Sequence, residues 1–266
     1  MKGRASVLQI QEIQEIVEVG ITMPVRCILE NGISAIVKYM RNPFGQQVLI
    51  NEYIGAKIAE EIGLSIPEYG ICYMSRQVIL DTNFNEELDE NNYGYGFFSK
   101  IYSKTVPPTR NFLSEVVNKE TEKVILFDHV VNNCDRHKGN LLIQLNETCR
   151  LYFIDNSHIV IDRENDGIDL TREGILSHKV MQNNECVYEL LCSGIGYSEE
   201  RVRLEVQRIK QKVSDRFLDN ILCEIPDEWT ESIENGKIEL MLECIKKRVA
   251  LLEDISEMII KERRNR

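Results

Sequence analysis

The sequence predicts an α+β protein in two parts: a small β-rich lobe with one helix over residues 1–96, and a mostly helical lobe over residues 97–266. Two observations lead to this prediction. Apolar, β-branched runs and turn signals dominate before Tyr95, whereas apolar residues at three- and four-residue intervals dominate after it. A chain of 266 residues, 43% of them hydrophobic, is also long enough to bury a substantial core.

The first lobe is predicted to begin with a β-hairpin. The segment Pro24 to Met40 has two apolar runs on either side of Asn31-Gly32, and Asn-Gly is a strong hairpin signal. Apolar residues from Gln46 onward follow the helical period and end at Gly63, which predicts a helix. Ile66 to Tyr73 and Gln77 to Asp81 are predicted to be further strands.

The second lobe is predicted to be helical except for one hairpin. Leu141 to Leu145 and Leu151 to Ile154 form two short apolar runs around a polar loop, and a short helical turn is predicted after Pro226. Four amphipathic stretches predict helices: Leu113 to Val131, Ile175 to Ser193, Ser198 to Leu222 and Ile238 to Lys261.

Composition argues against several classes of function. A formal net charge of −11 argues against direct nucleic-acid binding, because phosphate backbones attract clusters of Lys and Arg. No apolar run approaches the ~20 residues that span a bilayer, and the N-terminal residues do not resemble a secretory signal, so we expect a cytoplasmic protein without a membrane partner. The eight cysteines include no Cys-x-x-Cys pair, so no zinc site is predicted.

Three polar residues surround the predicted hairpin of the second lobe. Asp135 lies in a polar turn after an apolar, helix-like run, Asn140 follows five positions later, and Asp155 follows the second strand. A hairpin of this kind can bring Asn140 and Asp155 to the same rim, where their oxygen atoms would suit Mg²⁺. We predict that these three residues are catalytic. Asp135 would orient a hydroxyl and accept its proton, and Asn140 and Asp155 would bind the metal.

The first lobe offers two further charges. Lys38 is the lone charge in the apolar run Ile36 to Met40, and Glu52 lies on the following predicted helix. Lys38 would reach the α and β phosphates of ATP, and Glu52 could hold Lys38 through an ion pair. Taken singly, each of these residues has an ordinary explanation as a turn former or a surface charge. Their order along the chain, however, matches the general plan of a kinase.

Other residues near the motif carry side chains that could act in binding or catalysis. Arg136 and His137, directly after Asp135, could steer phosphate charge or fix the loop. His129, Cys134 and His137 lie close together in sequence, but no second group of ligands completes a metal site. Only proximity to histidines supports Cys134 as a nucleophile. His158 is predicted to be structural.

Three segments resemble the HipA-like kinase family: Asn51 to Glu68, Phe127 to Ile143 and Leu151 to Ser157. The Asp-Arg-His motif at 135–137, followed by Asn140, is also similar to the catalytic loop of phosphatidylinositol 3/4-kinases. The resemblance implies a two-lobed protein-kinase-like fold that uses ATP and Mg²⁺, with Asp135 as the catalytic Asp, Asn140 and Asp155 on the metal and Lys38 on the phosphates.

The resemblance also implies a biological role. Members of the family include Ser/Thr protein kinases that act as toxins of bacterial toxin-antitoxin modules, some of them on aminoacyl-tRNA synthetases. The implied partners are therefore a protein substrate, such as a translation-related enzyme, and an antitoxin protein. Two other functions stay open: a non-catalytic nucleotide-binding module, and a small-molecule or lipid kinase. The acidic net charge weighs against lipids.

Two features depart from ordinary protein kinases. Asn156 and Ser157 stand where such kinases carry Phe and Gly after the metal-binding Asp, and no Gly-x-Gly-x-x-Gly motif precedes Lys38. Both departures fit the HipA-like group better. In place of the missing glycines, the turn from Glu30 to Ser34, with Asn31 and Gly32, is the predicted phosphate-covering loop.

Overall fold

The computed structural model describes residues 7–18, 22–84, 88–160 and 168–265. The strands are β1 (Leu8–Ile16), β2 (Val25–Leu29), β3 (Ser34–Lys38), β4 (Tyr69–Met74), β5 (Gly94–Lys100), β6 (Thr105–Val106), β7 (Leu141–Leu145) and β8 (Cys149–Phe153). The helices are α1 (Gln47–Ile62), α2 (Arg76–Leu80), α3 (Arg110–Ser114), α4 (Thr121–Val130), α5 (Arg172–Ile175), α6 (Lys179–Asn183), α7 (Glu185–Gly194), α8 (Glu199–Lys212), α9 (Asp215–Leu222), α10 (Asp227–Thr230), α11 (Lys237–Ala250) and α12 (Leu252–Arg264). Short 3₁₀ turns occupy Glu90–Asn92 and Lys138–Asn140.

The chain divides into two compact units. The first unit consists of Met1–Ala56, Pro67–Tyr102 and Cys223–Glu234, and the second consists of Lys57–Ile66, Ser103–Leu222 and Asn235–Arg266. The N-terminal part is rich in strands and the C-terminal part is mostly helical, as the sequence predicted. Among the described residues, no helix combines the length and hydrophobicity needed to span a bilayer.

Five strands of the first unit close into a barrel in the order β1-β2-β3-β5-β4. All neighbours run antiparallel except β1 and β4, which are parallel. The predicted hairpin is confirmed as β2 and β3, with Val25 opposite Val37 and Ile28 opposite Ser34. The barrel buries a hydrophobic core that includes Ile10, Val25, Leu29, Val37 and Phe98.

Strand β1 was not predicted, because its apolar residues are not spaced like those of a regular strand. The buried residues Ile10, Ile13 and Ile16 recur every third position. The register with β2 shifts between Ile10 and Glu12 and again between Ile13 and Glu15. Each irregularity adds one residue to the repeat, so every third side chain faces the core instead of every second.

The predicted strand from Gln77 to Asp81 is wrong, since α2 occupies this segment. The Ser75 side chain caps the helix by accepting a hydrogen bond from the Val78 N–H at 3.2 Å. Val78 and Ile79 are buried, so an apolar run that suits a strand also supplies the buried face of this short helix.

A segment from late in the chain belongs to the first unit. Within Cys223–Glu234, the Trp229 side chain is fully buried and its indole N–H donates to the Tyr95 carbonyl at 3.0 Å. The Trp229 ring also packs edge-on against Tyr53, whose hydroxyl donates to Glu224 at 2.8 Å. The helical turn predicted after Pro226 is confirmed as α10, and it places Trp229 in this core.

In the second unit, β6, β7 and β8 form an antiparallel sheet, and the predicted hairpin is confirmed as β7 and β8. The four predicted helical stretches are each divided into two or more helices. Between α3 and α4, for example, the Asn118 side chain accepts from the Leu151 N–H at 2.9 Å and donates to the Leu151 carbonyl at 2.7 Å. These bonds direct the chain across β8 and prevent one continuous helix.

Helix α4 is the centre of the second unit. Every residue from Val124 to Val130 is buried, and α4 packs against α7, α8 and α11. A short helix that is buried on all sides has a fixed position. The loop that follows it, with Asp135, therefore starts from a rigid point.

Candidate active site

The first unit brings Lys38 and Glu52 together, as predicted. Lys38 is the last residue of β3, and its ammonium group donates to the Glu52 carboxylate on α1. Lys38 is 8% exposed and Glu52 is 3% exposed. Because a buried charge without a partner is very unfavourable, each side chain holds the other in place.

Asn31 and Gly32 lie far from Lys38. The turn is closed by a bond from the Gly32 N–H to the Leu29 carbonyl at 2.8 Å, and Asn31 accepts from the Ile33 N–H at 3.1 Å. This turn joins the start of β3, whereas Lys38 ends the strand four residues later, roughly 13 Å along it. The register places the end of β1 at Ile16 and the start of β2 at Val25 near the Lys38 end instead. The Asn31-Gly32 turn and Lys38 therefore lie at opposite ends of β3, which weighs against the prediction that this turn is the phosphate-covering loop.

The second unit places Asn140 and Asp155 at one end of the β7–β8 hairpin. Asn140 precedes β7 and Asp155 follows β8, with Leu141 opposite Phe153. The Ile154 N–H donates to the Asn140 carbonyl at 3.0 Å, which extends the pairing to the rim. The two backbones are therefore adjacent, as the sequence predicted.

The orientation of the Asn140 amide is fixed. Asn140 is 4% exposed, and its side-chain nitrogen donates to the Asp135 carbonyl at 2.9 Å. Because the amide is planar, this bond turns Oδ1 away from the carbonyl and leaves oxygen as the ligand atom. A hard oxygen donor suits Mg²⁺ or Mn²⁺.

Asp155 has a left-handed backbone conformation with φ of 61°. Asp adopts this region more readily than most residues, because its side chain can bond to nearby backbone. The Asp155 carboxylate accepts from the Ser157 N–H at 3.1 Å and from the Ser157 hydroxyl. Ser157, in place of the usual glycine, thus orients the predicted metal ligand.

Asp135 is partly exposed, and its backbone is held by a hydrogen bond to a neighbouring side chain. Its N–H donates to the Asn133 side chain at 3.0 Å, and its carboxylate lies 3.8 Å from Nε2 of His158. The side chain is 27% exposed, which leaves it accessible to a substrate hydroxyl.

Arg136 lies inside the protein. Its side chain is 0% exposed and forms an ion pair with Asp128 of α4 at 2.9 Å. It also donates to the Ile154 carbonyl at 2.7 Å and to the Asn156 side chain at 3.4 Å. Of the two roles predicted for Arg136, this position favours fixing the loop, because the guanidinium has no exposed surface to offer a phosphate.

The Asp128 carboxylate is the centre of a buried network. Besides Arg136, it accepts from the Asn133 side chain at 3.1 Å and from the Tyr188 hydroxyl at 3.1 Å. Burial raises the pKa of Asp128, and the Arg136 guanidinium opposes the rise. Sequence analysis missed Asp128, although a carboxylate inside the apolar run Val124 to Val131 signals a buried, paired charge.

His137 is exposed and acts as a local cap. Its Nδ1 accepts from the Gly139 N–H at 3.0 Å, and the Asn140 N–H donates to the His137 carbonyl at 2.9 Å. His137 therefore shapes the 3₁₀ turn that delivers Asn140.

Comparison with known proteins identifies the family of the chain. A family model described as HipA-like kinase matches residues 10–255. The protein is therefore of the kinase class. The chain belongs to the HipA-like kinase family. A search among curated proteins found no significant match.

Two solved structures share the fold. The proinflammatory kinase CtkA of Helicobacter pylori matches with a TM-score of 0.56 and 11% identity, over 97% of this chain and 98% of that chain. A Golgi casein kinase with Mn/ADP bound matches with a TM-score of 0.55 and 9% identity, over 94% of this chain and 72% of that chain. The predicted protein-kinase-like α+β fold is therefore confirmed.

Proposed function

We propose that the chain is an ATP-dependent protein kinase that transfers the γ-phosphoryl group to a Ser or Thr hydroxyl of a protein substrate. The observation that carries this proposal is the arrangement of Asp135, Asn140 and Asp155 around one rigid hairpin in the second unit. The buried Lys38–Glu52 pair of the first unit supplies the matching cation. Family membership supports the same reaction class.

Each residue has a role in this proposal. Asp135 orients the substrate hydroxyl and accepts its proton, and the backbone bond from its N–H to Asn133 keeps it in place. Lys38 neutralises charge on the phosphates that are not transferred, and Glu52 keeps Lys38 extended. Arg136 keeps the loop in shape from inside the second unit.

Asn140 and Asp155 would hold the divalent metal. Their donor set of amide and carboxylate oxygens fits Mg²⁺ or Mn²⁺. When bound, such an ion neutralises negative charge on the phosphates and orients them. A kinase of similar fold has Mn and ADP bound, which supports the use of a nucleotide and a divalent metal here.

A toxin role, with an antitoxin partner and a translation-related substrate, is a narrower form of the proposal. It rests on the family to which the chain belongs. Co-purification with the product of a neighbouring reading frame, and phosphorylation of an aminoacyl-tRNA synthetase, would test it separately from kinase activity.

The central experiment is phosphate transfer from labelled ATP to proteins of a cell lysate, with Mg²⁺ or Mn²⁺ present. We expect Asp135→Ala and Asp155→Ala each to lose several orders of magnitude in rate, as for groups that act in the transition state. Asp219→Ala, at an exposed surface pair with Lys246, is the matched control. Unchanged turnover in Asp135→Ala would refute the proposal, and ATP binding without transfer would favour the non-catalytic module. Phosphoamino-acid analysis of the product separates Ser/Thr from other acceptors.

A further inference from the structure

A buried asparagine outside the motif contacts the loop that carries Asp135. Asn184 lies at the junction of α6 and α7, forty-nine positions after Asp135, and is 0% exposed. We infer that Asn184 is a positioning residue of the catalytic loop, which it holds on both sides of Asp135. This inference rests on the proposed function.

The Asn184 side chain binds two backbone groups of the loop. Its nitrogen donates to the Asn133 carbonyl at 2.7 Å, and its oxygen accepts from the Arg136 N–H at 2.9 Å. These groups flank Cys134 and Asp135. The Asp135 N–H between them donates to the Asn133 side chain at 3.0 Å, so the backbone is fixed before, at and after the proposed base.

Asn184 is itself held by a closed ring of hydrogen bonds. Its nitrogen also donates to the Tyr188 hydroxyl at 3.0 Å, one turn further along α7. That hydroxyl donates to Asp128 at 3.1 Å, and Asp128 pairs with Arg136, whose backbone N–H returns to Asn184. Tyr188 and Asp128 are fully buried, so solvent water does not compete for these bonds.

The contacts of Asn184 explain why its loss would reach the active site. An apolar side chain there would leave the Asn133 carbonyl and the Arg136 N–H buried without partners. The loop would move to recover hydrogen bonds, and Asp135 would move with it. A misplacement of about 1 Å at a reacting group can cost roughly 100-fold in rate.

The test compares three variants with the wild-type protein. Asn184→Leu removes both hydrogen bonds to the loop and keeps a side chain of similar size. Tyr188→Phe removes only the hydroxyl that supports Asn184, so its effect is expected to be smaller. Leu191→Ala, a buried residue of α7, is the control for lost stability without lost loop bonds.

Two measurements are made where all variants are folded. The first is kcat and KM for ATP, with an expected fall in kcat of roughly 10- to 100-fold in Asn184→Leu and little change in KM. The second is amide hydrogen exchange over residues 133–137, which is expected to accelerate in Asn184→Leu but not in Leu191→Ala.

The outcomes separate this inference from the proposed function. Unchanged exchange in Asn184→Leu, or a kcat equal to that of Leu191→Ala, would overturn the positioning role. A wild-type protein that transfers no phosphate would defeat the proposed function, and with it the catalytic part of the inference. Exchange alone would then decide whether Asn184 holds the loop.

Discussion

Asn140 donates its side-chain N–H to the backbone carbonyl of Asp135 at 2.9 Å, so the predicted metal ligand and the predicted base share one hydrogen bond. The bond spans the 3₁₀ turn Lys138–Asn140 and fixes which amide atom faces outward. A carboxylate at this position has no N–H to donate, although it offers a stronger metal ligand.

We expect Asn140→Asp to lower kcat by roughly 100-fold, because the Asp135 carbonyl would meet an oxygen in place of a donor. The metal concentration for half-maximal activity is expected to fall at the same time, because the ligand gains charge. A titration of activity with Mg²⁺ measures both quantities. Asn140→Leu, which removes bond and ligand, should be less active still; full activity in Asn140→Leu would exclude Asn140 from the site.

The Lys38–Glu52 pair allows stability and catalysis to be separated. Lys38→Met removes the ammonium group that pairs with the buried Glu52 carboxylate, which is expected to cost about 3–5 kcal/mol in the free energy of unfolding. Its kcat/KM for ATP is expected to fall by roughly 100-fold or more, because a preorganised cation is lost.

Adding Glu52→Leu to Lys38→Met is expected to recover most of the stability and none of the activity. Urea denaturation and steady-state kinetics on both variants provide the comparison. Arg26→Met, at an exposed barrel position 3.8 Å from Glu15, is the control and should match the wild type in both. Recovered activity in the double variant would show that the pair is only structural.

Gly32 and Gly45 form a matched pair of glycines. Both have positive φ, 80° and 73°, and at neither would an added Cβ meet an atom within 4 Å. Alanine at either position is therefore expected to cost roughly 1–2 kcal/mol from backbone strain alone.

Because the Gly32 turn lies at the far end of β3 from Lys38, Gly32→Ala should leave the KM for ATP unchanged, as should Gly45→Ala. Thermal denaturation and ATP titration measure the two effects. A raised KM for ATP in Gly32→Ala alone would support the prediction that this turn is the phosphate-covering loop.

His129 predicts a loss of stability in mild acid. Burial in α4 lowers the pKa of His129 to about 4 from an ordinary value of 6.5. The unfolded chain therefore takes up the proton first as the pH falls. The contribution of His129 is complete above pH 6.5 and is lost as the pH falls towards 4, by about 3 kcal/mol in total.

His129→Gln, neutral at every pH, is expected to flatten this part of the stability curve. Urea denaturation of both proteins between pH 7.5 and 4.5 gives the difference, in which the carboxylates common to both cancel. Parallel curves for the two proteins would contradict the prediction.

The elements that depend on short-range sequence patterns were predicted from the sequence. Asn31-Gly32 indicated the β2–β3 hairpin, and the helical period from Gln46 to Gly63 indicated α1. The apolar runs Leu141 to Leu145 and Leu151 to Ile154 indicated the β7–β8 hairpin. The proximity of Asn140 and Asp155 followed from that hairpin, because register determines which ends meet.

Elements that depend on distant contacts were not predicted. Strand β1 was hidden by its two irregularities, and without β1 the end of the barrel near Lys38 could not be identified. Asn184 gave no signal either, because its partners lie 48 and 51 residues away in sequence. Asn118 shows the same limit, since its bonds to Leu151 separate α3 from α4.

Trp229 determines when, during synthesis of the chain, the first unit can be completed. The indole that bonds to Tyr95 and packs on Tyr53 is synthesised more than one hundred residues after either of them. On the ribosome, the barrel strands emerge early, but the aromatic group that completes their unit arrives only near the end of translation. An isolated fragment of the first hundred residues would expose Tyr53 and Tyr95 to solvent, so expression of this unit requires Cys223–Glu234 as well.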